Sequence, residues 1–402
     1  MNSFDPEAPP NPPPGSGIDR SEQQHLSRLL FYGFVVRAVV ALLLGWTGYS
    51  TRLAPDEETY VNTGWGTALY WAGDVAVPNW RMTTDQPLGY FYINAALFYI
   101  FGLTEIPIKL VNAFLGAYTT RYMFLIAREL FGSAVARRTA VLAAFFPSLV
   151  LWSAVNIRDV WVIFLIVYIS WKSLQVVRGQ TIVGIFNVGL AIYAVTFFRD
   201  YLFFVVALPP LIAFVIGGRG NLARNFVFSL IAGLAVMLFL QRGAGESAAQ
   251  KMSLETMSRV RQDMAVGAGS SFHENVDIST PGRAITFLPL GIAYFLFSPF
   301  PWQITSLLKL FALPEMLLIY RLAPAMFRGI KHTIQTRFRE ALQILLLTSL
   351  LTVSYALGEG NVGTLYRHRA QAILFYLMFA AVGLELKRAP AAEPLPVLRQ
   401  IA

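Results

Sequence analysis

Apolar stretches recur along almost the whole chain, near residues 29–50, 87–103, 106–127, 138–155, 160–177, 181–198, 201–217, 226–240, 284–300, 305–320, 341–357 and 370–386. Runs of this length, roughly twenty residues, suit helices that cross a bilayer. Strict alternation of apolar and polar positions is absent, which argues against a membrane barrel. The pattern predicts an all-α, polytopic transmembrane helical bundle of about ten to twelve membrane helices, with helices at the interface besides.

Charge placement selects among the possible topologies. With the N-terminus inside, loop 51–86 lies outside and carries Asp56, Glu57, Glu58, Asp74 and Asp85 against Arg52 and Arg81. If 87–103 and 106–127 both crossed, then Arg128, Arg137, Arg138, Arg178, Arg219 and Arg224 would all fall outside, against the preference of basic residues for the cytoplasmic side. Segment 87–103 is short, aromatic and opens with Pro87. Lying along or dipping into the outer interface, it returns those arginines to the inside. Segment 284–300, with Pro289 and Pro299, is treated alike, which places Arg328, Lys331, Arg337 and Arg339 inside. The expectation is ten full spans, two partial outer-face helices and both termini cytoplasmic. Residues 1–24 and 389–402 are expected to be tails, the first disordered. Residues 25–388 are expected to form the membrane domain. Within it, 51–86 is the first outer loop, with an interfacial helix anchored by Trp65, Tyr70, Trp71 and Trp80, and 242–283 is a second outer loop.

Composition agrees. The chain is 402 residues, 55% hydrophobic and 14% charged, and contains no cysteine, so disulfides and thiolate chemistry are excluded. The Pro-rich start shows no cleavable signal pattern. A net charge of +9 fits basic cytoplasmic loops better than nucleic-acid binding.

The topology gathers charge on one face. Asp56, Glu57, Asp85, Arg158-Asp159, Arg199-Asp200, loop 242–283 with His273, and Tyr366-Arg367-His368-Arg369 all fall outside. Outer arginines run against the usual bias, and charges near the bilayer pair with one another or line a cavity. Isolated ion pairs and snorkelling side chains are the plainer explanation for any one of them. Three basic and three acidic clusters together favour a shared site. Arginine binds phosphate through a planar fork of donors. Of Arg367, His368 and Arg369, neighbours on a helix diverge, so two of the three can reach one ligand. Asp56 and Glu57 serve as candidate proton acceptors, and Asp56 also fits a helix N-terminus. Loop 242–283, rich in Gly and Ser, reads either as a mobile cover over the site or as a plain connection.

Four features resemble the GT-C superfamily of membrane glycosyltransferases, above all the family of protein O-mannosyltransferases and lipid A aminoarabinose transferases. They are Pro55-Asp56-Glu57-Glu58-Thr59-Tyr60; Gln86-Pro87-Leu88-Gly89-Tyr90; Ala127-Arg128-Glu129-Leu130-Phe131-Gly132; and Phe146-Pro147-Ser148-Leu149 running through Ser153 to Arg158-Asp159. They span residues 52–160, about a quarter of the chain. The resemblance implies a GT-C-type bundle in a bacterial inner membrane, with its active site facing the periplasm. It implies transfer of a sugar from a polyprenyl-phosphate donor to a hydroxyl of a glycan, lipid or protein acceptor, with inversion. Asp56 would be the base, with Glu57 and Asp159 beside it. Arg158, Arg199, Arg367, His368 and Arg369 would hold the phosphate, and Tyr60, Asp85, Asp200 and His273 would line the site. No cofactor is required, and a divalent metal is possible on Asp56, Glu57 and Asp159. Two other classes compete. A polymerase or ligase acting on lipid-diphosphate-linked glycans would also need outer arginines. A transporter would call for internal repeats and mid-membrane charge, and Arg37, inside the first apolar segment, is a charge without an evident partner.

Overall fold

The computed structural model describes residues 19–76, 87–177, 179, 182–217, 250–265, 271–273, 276–304, 310 and 312–388. The predicted segment 226–240, Asp85, and most of loop 242–283 lie outside the described residues. The described chain is helical: α1 Arg20–Thr47, α2 Ser50–Leu53, α3 Asp56–Ala72, α4 Gly89–Phe101, α5 Ile106–Phe131, α6 Ser133–Phe145, α7 Pro147–Trp152, α8 Asp159–Val177, α9 Ile182–Thr196, α10 Leu202–Gly217, α11 Leu254–Ala265, α12 Pro281–Phe297, α13 Leu313–Thr336, α14 Phe338–Gly358 and α15 Val362–Arg388. Among the described residues, the extended pairing consists of one antiparallel bridge between Ser271 and Asn361. The all-α polytopic expectation holds.

Among the described residues four helices, α1, α8, α14 and α15, are long and apolar enough to cross a membrane. Helix α15 is the centre of the bundle, buried from Val362 to Gly383 on most of its surface, and packs against α13, α6, α14 and α8. Helix α5 packs against α1, α6 and α8, and α3 lies on α4. With 13 residues, α4 is roughly 20 Å long, short of the ~30 Å hydrocarbon layer. That agrees with a partial helix at 87–103.

Several boundaries differ from the sequence reading. Helix α1 begins at Arg20, not after residue 24. Asp19 caps it by accepting from the Glu22 amide at 2.7 Å, and Glu22 is buried against Arg128 Nε at 2.9 Å. The predicted span 138–155 is two helices, because Pro147 has no amide to donate to the carbonyl of Ala143. Arg37 closes this break. Its guanidinium donates to the carbonyls of Ala144 at 2.6 Å and Ala143 at 3.3 Å, and to Ser153 Oγ at 2.9 Å. The mid-segment charge is thus a cap for an interrupted helix. Gly132 links α5 to α6 with φ 87°, a left-handed conformation that glycine adopts without steric cost.

The span expected at 305–320 is displaced. The described helix is α13, which runs on to Thr336 and takes in Arg328 and Lys331. Its buried stripe, Met316, Ile319, Leu322, Met326, Gly329 and Thr333, recurs at helical spacing and faces α15, while Arg321, Arg328 and Lys331 stay exposed. Amphipathic periodicity carries this helix past the end of its most apolar stretch.

Candidate active site

The turn between α7 and α8 carries Asp159 and is held by a buried polar network. Tyr90 donates its hydroxyl to Asn156 Oδ1 at 2.7 Å. Asn156 Nδ2 donates to Asn94 Oδ1 at 2.9 Å. Asn112 Nδ2 donates to Tyr90 Oη at 2.9 Å and to the Val155 carbonyl at 2.8 Å, and Trp161 Nε1 donates to Asn112 Oδ1 at 2.9 Å. Glu57 Oε1 accepts from the Asn156 amide at 2.5 Å. Buried polar groups are tolerable only when paired, and here the pairing fixes an irregular turn. Tyr60 packs its ring on Tyr90, with centroids 4.8 Å apart, and is buried beneath it.

The two adjacent acids therefore face different ways. Glu57 is fully buried, 3.5 Å from Lys109 Nζ. Burial pushes its carboxyl up, while Lys109 and the Asn156 amide pull it down. Asp56 is 56% exposed and looks towards α15.

From Asp56 a continuous charge chain runs inward. Arg367 Nη1 donates to Asp56 Oδ2 at 2.7 Å. Arg367 Nε and Nη2 donate to Asp159 Oδ2 at 2.8 and 2.5 Å. Asp159, fully buried at the first turn of α8, accepts at Oδ1 from Arg199 Nη2 at 2.6 Å. Arg199 Nη1 meets Tyr201 Oη at 2.5 Å and His368 Nε2 at 2.7 Å. His368 Nδ1 meets Glu359 Oε1 at 2.5 Å. Burial by itself would lower Arg199, but Asp159 outweighs it and holds the guanidinium well above its ordinary value. Opposite charges alternate from Asp56 through Arg367 and Asp159 to Arg199, so each of these ions is paired.

Behind this chain lies a cavity of about 320 Å³. Its lining holds the charged residues Arg158, Arg199, Asp200, Lys251 and Glu359 with His368, and the apolar residues Met252, Met257, Val260 and Met264. Arg158 is half-buried, and its Nε and Nη1 atoms have no hydrogen-bond partner among the described residues. Asp200 is paired with Lys251 at 2.7 Å.

The structure thus brings together Asp56, Asp159, Arg199, Arg367 and His368, with Arg158 and Asp200 on the cavity wall. Arg369 goes elsewhere. It is buried on another side of α15, donating to the Ser298 carbonyl at 2.6 Å and lying 3.4 Å from Glu315 Oε1. Residues advance by about 100° per position on a helix, so Arg369 diverges from Arg367. His273 meets Tyr294 edge to face, with centroids 5.4 Å apart, and has φ 50°. Asp85 is outside the described residues. Among the described residues no group of three carboxylates or imidazoles is disposed to hold a metal. Arg367 stands between Asp56 and Asp159, and Glu57 faces the opposite way. Glu359 and the asparagines at 94, 112 and 156 were not singled out from sequence. An amide side chain inside an apolar run is costly unless bonded, and that was the available signal.

A family model described as dolichyl-phosphate-mannose-protein mannosyltransferase matches residues 85–241. A polyprenol-phosphate-mannose–protein mannosyltransferase of Corynebacterium glutamicum is 26% identical over 160 residues, covering 37% of this chain and 31% of that protein. Among solved structures, the oligosaccharyltransferase AglB of Archaeoglobus fulgidus, in complex with an inhibitory peptide and a dolichol-phosphate, superposes with a TM-score of 0.54 at 15% identity, covering 91% of this chain and 50% of that one. ArnT of Cupriavidus metallidurans, bound to undecaprenyl phosphate, superposes with a TM-score of 0.50 at 16% identity, covering 87% and 60%. The chain has the GT-C glycosyltransferase fold. The chain spans about a third of the length of its curated relative and half to three-fifths of those solved neighbours. Asp56 and Asp159 are the first residues of α3 and α8, helices that four others separate in the chain.

Proposed function

We propose that this chain is a membrane glycosyltransferase that moves a sugar from a polyprenyl-phosphate donor to an acceptor hydroxyl on the non-cytoplasmic face. The observation that carries the reading is the chain Asp56–Arg367–Asp159–Arg199, exposed at its carboxylate end and bordered by a cavity whose lining includes Arg158, Lys251 and several apolar side chains. Such a cavity suits an amphiphile with an anionic head. The relatives' names and bound lipids agree with that donor class.

In this reading the acceptor oxygen attacks the anomeric carbon while Asp56 takes its proton. The bond from that carbon to the phosphate oxygen breaks, and polyprenyl phosphate leaves with the bonding pair. Attack opposite the leaving group inverts the centre. Arg158, with two unpartnered nitrogens, and Lys251 hold the phosphate, and Arg199 and Arg367 lend positive charge nearby. Preorganised donors aimed at developing charge contribute strongly, with roughly 3–4 kcal/mol lost on removing one. Asp159 divides the two guanidinium groups and keeps both oriented. Glu57 supports the α7–α8 turn and takes no part in proton transfer.

The test is transfer by the purified full chain from a panel of polyprenyl-phosphate sugars, with lipid-diphosphate-linked sugars as the contrasting arm. Turnover with the monophosphates that Arg158→Ala weakens supports the reading. Turnover with the diphosphates alone would favour the polymerase or ligase class.

A further inference from the structure

His368 was expected at the phosphate, yet both of its ring nitrogens are already engaged. A guanidinium can only donate. Arg199 Nη1, 2.7 Å away, therefore makes Nε2 an acceptor, and the ring proton sits on Nδ1, facing Glu359 Oε1 at 2.5 Å. His368 in this state presents no N–H to a ligand. It instead fixes one arm of Arg199 and leaves the other, Nη2, for Asp159.

Glu359 is itself anchored from outside the chain. Its backbone carbonyl accepts from Arg261 Nη1, and Arg261 Nη2 donates to the Phe272 carbonyl at 3.2 Å. The Arg261 guanidinium lies 4.6 Å from the Phe272 ring centroid and 4.3 Å from that of Phe287. Gly360 permits the close approach, since a Cβ there would fall 2.0 Å from the Arg261 carbonyl oxygen. Glu359 thus joins the segment carrying α11 to the buried end of the charge chain.

We propose that Glu359 is a positioning residue for sugar transfer: through His368, held as its Nδ1–H tautomer, it orients Arg199 and so the Asp159–Arg367–Asp56 end where the reaction occurs. The proposal rests on the transferase reading above. It predicts an effect on turnover, not on donor affinity, because neither Glu359 nor His368 offers a donor to the phosphate.

The test uses the full chain in detergent with nitrogen-labelled histidine, and polyprenyl-phosphate mannose with an alkyl mannoside acceptor. With four histidines in the sequence, a His368→Gln spectrum assigns the signal. The expected result is a proton on Nδ1 of His368. Glu359→Ala should lower kcat by ~10–100-fold, the usual effect of removing an outer hydrogen-bond partner of a functional group, with donor KM little changed. Glu359→Gln keeps an oxygen for the Nδ1 proton and should recover most of the loss. A proton on Nε2, wild-type kcat in Glu359→Ala, or a raised donor KM at unchanged kcat would overturn the proposal. If the alanine variant does not fold, Glu359→Gln and the tautomer decide it, and a glutamine variant with a tenfold lower kcat overturns it. If the wild-type chain transfers nothing from any lipid donor, the transferase reading fails, and the tautomer alone then tells whether the Glu359–His368–Arg199 linkage stands.

Discussion

Arg367 Nη1 donates to Asp56 Oδ2 at 2.7 Å, joining positions 311 apart in the sequence. The same guanidinium grips Asp159 through Nε and Nη2. One carboxylate is 56% exposed and the other fully buried, with a single cation between them. Solvent meets the charge chain at Asp56.

That asymmetry separates two neighbouring acids by experiment. Asp56→Asn should lower transfer at least ~100-fold, the usual contribution of a positioned base. Glu57→Gln should turn over within a few-fold of wild type, because a glutamine oxygen still accepts from the Asn156 amide. Steady-state rates decide it. Undiminished turnover in Asp56→Asn removes that residue from the chemistry.

Glu57 also gives a signed pH effect on stability. Burial raises its folded-state carboxyl above the unfolded value, so folding takes up a proton. The associated stability is present below the unfolded value, ~4.3 for glutamate, and is lost as pH rises through the folded one. Glu57→Gln lacks this loss. Its stability relative to wild type should therefore increase as pH rises across that window, as followed by thermal unfolding in detergent. A difference that stays flat with pH contradicts the assignment.

Asp159→Asn leaves Arg199, 3% exposed, without its carboxylate. Breaking a buried pair from one side costs about 3–5 kcal/mol. The variant should unfold at clearly lower temperature, whatever its activity. A wild-type unfolding curve would mean that Asp159 is not the partner holding Arg199.

Arg37 should prove structural. Its bonds to the Ala144 and Ala143 carbonyls and to Ser153 Oγ close the break at Pro147. Arg37→Ala should destabilise the protein by about 3 kcal/mol, and Arg37→Lys should not restore it, because one ammonium lacks the fork. Equal stability of the lysine variant and wild type would refute the capping role.

The absence of cysteine makes the topology directly measurable. Single cysteines at the exposed positions Glu58 and Ser253 should react with an impermeant thiol reagent added from outside. One at Ala134, also exposed, should react only from the cytoplasmic side. Labelling of positions 58 and 253 from opposite sides would dissolve the shared outer face.

Sequence reading singled out by residue type several charges that the structure gathers, and missed the direction in which their neighbours point. Asp56, Asp159, Arg199, Arg367 and His368 stood out because charge beside apolar runs is costly and must be paired. Nothing local told Glu57 from Asp56, or Arg369 from Arg367. Which neighbour turns inward depends on the phase of α3 and α15 against other helices. Glu359 was unremarkable in the sequence because its role exists only through His368 and Arg261, contacts 9 and 98 positions away.

The chain alone settled that this is a helical membrane bundle, because hydrophobicity is summed over neighbouring residues and needs no partner. It also placed the break at Pro147 within reach, since a missing amide is a local fact. Only the packed structure decided which carboxylate each guanidinium holds, where α13 begins and ends, and why Arg37 can sit inside an apolar helix. Ion pairing in low dielectric depends on separations of a few ångströms between segments that the sequence leaves tens or hundreds of residues apart.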